Sequence, residues 1–128
     1  MPWARARGLG TYGERMAARY LRDVGLEVLD QNWRCPLGEI DLVARDGGCL
    51  VVCEVKTRRS TTFGSPVEAV DHRKLARLRR LSASWLAARR STPPGLTWRV
   101  DTVRVDVVGV LRPRAGACVI EHLRGVVA

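Results

Sequence analysis

The amino-acid sequence predicts a mixed α/β fold, a central sheet with parallel and antiparallel neighbours flanked by helices. Three observations lead there. Apolar residues near the N terminus recur at helical spacing, whereas later segments alternate in polarity with the period of a strand. Asp46-Gly47-Gly48 separates two such segments and is a strong hairpin signal. A long amphipathic segment then joins the third strand to the fourth, enough chain for those strands to run parallel through a right-handed crossover.

Taken in order, Ala17, Tyr20, Leu21 and Val24 define the inward stripe of a first helix over residues 11–24, with Gly25 where a C-terminal cap belongs. Residues 27–29 and Trp33 read as a first strand and its turn, 38–45 as a strand with one buried face, and 49–55 as an apolar strand. A polar loop is expected over 57–66. Asp71 then caps a second helix reaching about residue 89. Its Leu75, Leu78, Leu81, Trp85 and Leu86 form one stripe, while Arg73, Lys74, Arg77, Arg79 and Arg80 fall largely on the other faces. Ser91-Thr92-Pro93-Pro94-Gly95 breaks the chain, residues 98–108 form a valine-rich fourth strand, and 118–123 a fifth. With no internal repeat or linker, one domain is expected over 1–128, comprising a basic arm (1–7), a core (about 8–108) and a C-terminal strand extension (109–128).

The 128 residues suffice for one hydrophobic core and not two. No apolar run approaches membrane-spanning length and the first residues lack the apolar stretch of a signal peptide, so no membrane partner and a cytoplasmic location are expected. Cys35, Cys49, Cys53 and Cys118 include no C-x-x-C pair and read as reduced core residues. Net charge is +9, with 22 Lys plus Arg against 13 Asp plus Glu, which favours phosphate backbones and solubility alike. Only Lys56 and Lys74 are lysines, so these two stand out in a chain that otherwise uses arginine.

Hairpin geometry concentrates chemistry on one face. If Asp46 and Gly47 form the turn, Glu54 lies opposite Glu39 and diagonal to Asp41; if Gly47 and Gly48 do, Glu54 faces Asp41 directly. Either register gathers Glu39, Asp41, Glu54 and Lys56 on one face and Ile40, Leu42, Val51, Cys53 and Val55 on the other. Three carboxylates beside a single lysine resist simultaneous ionisation, and a hard divalent cation removes that cost. Asp41 and Glu54, with the backbone carbonyl of Val55, suit Mg2+ (or Mn2+), which takes oxygen ligands and keeps positions for water and substrate phosphate. Lys56 is placed to neutralise charge developing on a phosphate.

Asp41 followed by Glu54-Val55-Lys56 resembles the D…(D/E)-x-K signature of the restriction-endonuclease-like nucleases. Gly13-Glu14, Asn32-Trp33-Arg34-Cys35, Gly38-Glu39-Ile40-Asp41-Leu42, Glu54-Val55-Lys56-Thr57-Arg58, Phe63-Gly64 and the segment 70–74 more closely resemble the YraN-like family of uncharacterised bacterial proteins, over roughly residues 8–108. The resemblance implies a restriction-endonuclease-like αβββαβ core and relatedness to archaeal Holliday-junction resolvases, which cut branched DNA as dimers with magnesium. It implies DNA as partner, a homodimer by analogy, and a metal-site role for Glu14, which matches a first-helix glutamate of those enzymes. The acidic motif is Glu39-Ile40-Asp41 rather than Pro-Asp, which leaves Glu39 open as a further ligand, a supporting group or a partner of Lys56.

Plainer readings exist for each feature. Thr11 and Glu14 fit a capping box, although Glu14 also falls on the inward stripe of the helix. Asp41, Glu54 and Lys56 alone would read as a solvated strand face with an ordinary cross-strand ion pair. Arg73, Lys74, Arg77 and Arg80 read either as a solvated helix face or as phosphate contacts, and Arg58 and Arg59, after the third strand, as natural phosphate contacts. Asp101 and Asp106 read as structural or exposed, and His72 and His122 lack partners at suggestive spacing. Three functions follow: a magnesium-dependent DNA endonuclease, a catalytically inactive nucleic-acid-binding module in which removing Asp41 or Glu54 should relieve repulsion, or a protein-interaction adaptor with incidental basic charge and no salt-dependent nucleic-acid affinity.

Overall fold

The computed structural model describes residues 2–60, 64 and 71–126, with residues 2–10 described by backbone alone. Phe63 and Val70, both part of the family-like motifs, lie outside the described residues. The elements are α1 (Pro2–Asp23), β1 (Glu27–Cys35), β2 (Gly38–Asp46), β3 (Cys49–Arg58), α2 (His72–Ser91), β4 (Thr102–Leu111) and β5 (Val119–Leu123). The strands form one sheet in the order β1-β2-β3-β4-β5, antiparallel except for the parallel β3–β4 pair that α2 connects. This is the expected mixed α/β architecture, with an αβββαβ core extended by β5.

Two apolar cores lie on the two faces of the sheet. Ala17, Ala18 and Leu21 of α1 pack on Leu42, Ala44, Val51, Cys53, Val108 and Val110. Leu75, Leu78, Leu81 and Trp85 of α2 pack on Ile40, Val43, Leu50, Val52 and Val105. Each helix offers one apolar stripe, so covering both faces lets the central strands bury nearly every side chain. The cap of α2 is as expected: the Asp71 carboxylate accepts from the Lys74 backbone N–H at 2.9 Å.

Several expectations need correction. Helix α1 begins at Pro2, not near Thr11, so the residues read as a basic arm are continuous with it and Thr11 is no N-cap. Alanines and arginines are good helix formers and Pro2 is tolerated in a first turn, where no backbone donor is missed. Strand β1 runs on to Cys35 rather than turning at Trp33, because the polar residues of an edge strand need no apolar alternation; Asp30 accepts from the Trp85 indole at 3.1 Å. Strand β3 runs through Arg58, so the polar loop starts later. Strand β4 starts at Thr102 rather than at residue 98, since pairing begins only where Cys49 offers a partner. Trp98 instead lies under the Arg45 guanidinium, 4.5 Å from its ring centre.

The Asp46↔Cys49 pairing makes Gly47 and Gly48 the turn. Gly47 takes φ +59, which glycine adopts without strain, and Gly48 lies against the Asp101 carboxylate. Parity fails in one place: Ile40 and Leu42, expected on one face, sit in opposite cores. Between them the β1–β2 ladder steps from Gln31↔Leu42 to Trp33↔Ile40 without pairing Asn32 with Asp41, and Asn32 has φ +52. Asparagine tolerates this left-handed conformation better than most residues. The sheet is therefore kinked at Asp41.

Candidate active site

The site is built at that kink. The β2–β3 ladder ends at Leu42↔Cys53, leaving Asp41 and Glu54 as the next pair of positions, the second of the two alternatives the hairpin allowed. Instead of continuing the ladder, the Asp41 carboxylate accepts from the Val55 N–H at 2.8 Å. A strand residue directs its N–H and C=O toward the same neighbour, so the Val55 carbonyl faces the same gap.

Glu54 is only 7% exposed, and both lysines of the chain converge on it. Its Oε1 lies 3.3 Å from Lys56 Nζ and 2.5 Å from Lys74 Nζ. Lys56 shares the β3 face with Glu54, and Lys74 descends from the first turn of α2, held there by Asp71. Burial and the neighbouring Lys74 lower the Lys56 pKa despite Glu54. For Lys74, burial acts downward but the bond to Glu54 outweighs it, and its pKa is raised. The expected relief on removing Glu54 is therefore corrected: without that carboxylate two ammonium groups would face each other.

Asp41 differs. Burial, reinforced by the charge of Glu54 and opposed by the Val55 N–H, pushes its pKa to about 7. Glu14, from α1, is half-buried beside it; burial raises its pKa against the lowering effect of a side-chain hydrogen bond from Asn32. Helix α1 approaches this closely because residue 13 is glycine, where a Cβ would collide with the Thr57 hydroxyl. Gly13 was part of the family-like motif, yet nothing in the sequence marked it as the point of contact with β3. Asn32 was likewise visible only as a motif letter.

Glu39 is tied to Arg34 across the first hairpin at 2.7 Å, whereas the carboxylate that Lys56 meets is Glu54. Arg58, Arg59, Arg73, Arg77 and Arg80 are exposed, on the end of β3 and on α2. The aliphatic stem of Arg77 passes 3.8 Å from where a Gly38 Cβ would sit. Glu14, Asp41, Glu54, Lys56 and Lys74 thus come together, with Glu39 at the rim and the arginines outside.

The donor set fits a small hard cation. It consists of carboxylates and a backbone carbonyl, all oxygen, and Asp41 lies half-buried among the negative charges of Glu54, Glu14 and Glu39. Among the described residues no three His, Cys, Asp or Glu side chains form a ready-made cage. Magnesium needs none, since it commonly binds one or two carboxylates and retains water.

A second buried carboxylate lies on β4. Asp106 accepts from Arg104 Nε and Nη2 at 2.8 and 3.1 Å and from the Gly125 N–H at 2.9 Å. It also meets His122 Nε2 at 2.8 Å, and His122 Nδ1 lies 3.1 Å from the Tyr20 hydroxyl. Arg104 reaches on to Asp46 at 3.1 Å. Asp106 is structural, as expected, and His122 joins its network through contacts that spacing along the chain does not reveal.

Fold and cluster together define a protein with an αβββαβ core and a buried carboxylate–lysine centre. The chain belongs to the family described as "Uncharacterised protein family UPF0102", whose model matches residues 13–110; this is the YraN-like family that the motifs resembled. A UPF0102 protein of Beutenbergia cavernae is 59% identical over 118 residues, covering 92% of this chain and 94% of its own. One from Streptomyces griseus is 57% identical over 122 residues, covering 94% and 98%, and one from Kineococcus radiotolerans is 55% identical over 118 residues, covering 92% of each. No helix among the described residues is long and apolar enough to cross a membrane.

Proposed function

We propose that this protein is a cytoplasmic, magnesium- or manganese-dependent endonuclease of the restriction-endonuclease-like superfamily that hydrolyses DNA phosphodiester bonds, with branched DNA as the substrate class suggested by its likeness to junction resolvases. One observation carries the reading: Asp41, half-buried where the β2–β3 ladder ends and pushed to about pKa 7, lies beside Glu54 and its two lysines. Asp41, Glu54 and the Val55 carbonyl would hold the metal, with Glu14 completing the site. When bound, the ion supplies an acidified water and polarises a phosphoryl oxygen. Lys56 stands two residues beyond Glu54 and offsets charge developing on the phosphate. Lys74 holds Glu54 in place, so the carboxylate keeps its orientation when the scissile strand arrives. Symmetric cutting of a four-way junction would require a homodimer.

The test is a cleavage screen over linear, flapped and four-way DNA with Mg2+ or Mn2+. Cleavage that falls by about 100-fold or more in Lys56→Ala supports the reading, in line with the loss of one electrostatic stabiliser. DNA binding without cutting, on any of these substrates and with either metal, would reject it. That result would favour an inactive DNA-binding module on a nuclease scaffold. The observation behind this second reading is that Glu54 Oε1 is already held by two ammonium groups.

A further inference from the structure

We infer that Arg59, Arg112 and Arg114 form a second phosphate-binding pocket, which takes a phosphate of the bound nucleic acid other than the one at Lys56. The inference rests on the nucleic-acid reading above and adds a site to it.

The parallel strands β3 and β4 end side by side, with Arg58 paired to Leu111 and the Arg112 N–H donating to the Arg58 carbonyl at 2.8 Å. The chain therefore delivers Arg59 and Arg112 at the same edge, beyond the carboxyl ends of adjacent parallel strands, where open α/β sheets characteristically place ligands. Arg59, Arg112, Pro113 and Arg114 line an open cavity of about 300 Å³ there. Among the described residues no carboxylate pairs with these three arginines.

Arg112 is already oriented. Its guanidinium lies 4.3 Å from the ring centre of Tyr12, which α1 holds over this end of the sheet next to the Gly13–Thr57 contact. A stacked guanidinium loses little freedom on binding and keeps its in-plane N–H donors for a phosphate. Three cations around one cavity repel one another, and an anion among them removes that cost. From Lys56 to Arg59 is three residues, about 10 Å at strand rise. Lys56 and the pocket therefore take different phosphates of the bound nucleic acid.

The test measures binding of a duplex carrying a fluorophore at a 3′ end, with and without a 5′-phosphate, by anisotropy as salt is raised. Ca2+, which also takes oxygen ligands, replaces Mg2+. Arg59→Gln/Arg114→Gln is compared with Arg22→Gln/Arg99→Gln, an equal loss of charge from exposed positions elsewhere. Arg112 is left intact because it packs on Tyr12. Binding by the pocket variant should weaken about tenfold and its salt slope should fall by about one, while the control stays near wild type. A deficit confined to the 5′-phosphorylated duplex assigns the pocket to a terminal phosphate, and an equal deficit on both duplexes assigns it to an internal one. If the two double variants weaken alike, or neither weakens, the pocket is refuted while the nuclease reading stands. If the wild type binds no DNA, both fall.

Discussion

Two carboxylates on neighbouring parts of one sheet, Asp106 fully buried and Asp41 half-buried, are treated oppositely. Asp106 is fully buried and surrounded by donors: a bidentate guanidinium, an imidazole and a backbone N–H. Burial acts to raise its pKa, but these partners outweigh it and the pKa is lowered. Asp41 has one backbone donor and three acidic neighbours, and its pKa is pushed up to about 7. A buried carboxylate surrounded by donors holds a fold together, whereas one with a single donor among acidic neighbours favours a proton or a nearby cation. The difference sets the two positions apart without reference to sequence motifs.

The largest expected effect is on the satisfied side. Asp106→Ala leaves Arg104 and His122 without their shared partner and should cost about 3–5 kcal/mol, read by urea unfolding. A loss below about 1 kcal/mol would remove the contrast. Asp41→Asn should do the reverse. Asparagine can still accept from the Val55 N–H but carries no charge, so the metal-free protein should gain about 2–4 kcal/mol near pH 8. The sign follows from proton binding: folded Asp41 keeps its proton up to about pH 7, the unfolded one only to about 3.8. The folded state binds more protons between these values, so stability falls as pH rises through that window. Thermal melts should show this slope in the metal-free wild type and not in Asp41→Asn, and Mg2+ should abolish it. Asp106 has the opposite sign: its contribution is present at neutral pH and lost only in acid, as pH falls through its lowered pKa.

A smaller effect distinguishes the two carboxylates within the site. Glu54→Gln should destabilise by about 1–2 kcal/mol, because Lys56 and Lys74 then share no anion and are screened by only partial exposure. A stabilised Glu54→Gln protein would mean that Glu54 belongs with Asp41 as an unneutralised charge. Smallest of all, Tyr20→Phe removes only the outermost hydrogen bond of the Asp106 network and should cost about 1 kcal/mol in the same unfolding experiment.

Local signals carried much of this. The Gly47-Gly48 turn, the period-two alternation and the Asp71 cap act over a few residues, so the hairpin, α2 and the face shared by Glu54 and Lys56 were legible. The uncommon lysine at 74 drew notice on composition alone. What escaped depends on contacts between distant segments. The kink that sends Ile40 and Leu42 to opposite cores involves Asn32 on another strand, and the partners of Asp106 lie as far away as Tyr20 and Gly125. The start of α1 was misjudged because a short apolar stripe marks where a helix packs, not where it begins.

The hydrogen bond that ends the β2–β3 ladder also gives the molecule an internal indicator. The Val55 amide proton points at an oxygen of Asp41, so its resonance frequency should follow the ionisation of that one carboxylate. It would shift as the acid titrates, and again when a cation draws on the same oxygen. A single backbone signal could then report the electrical state of the cluster.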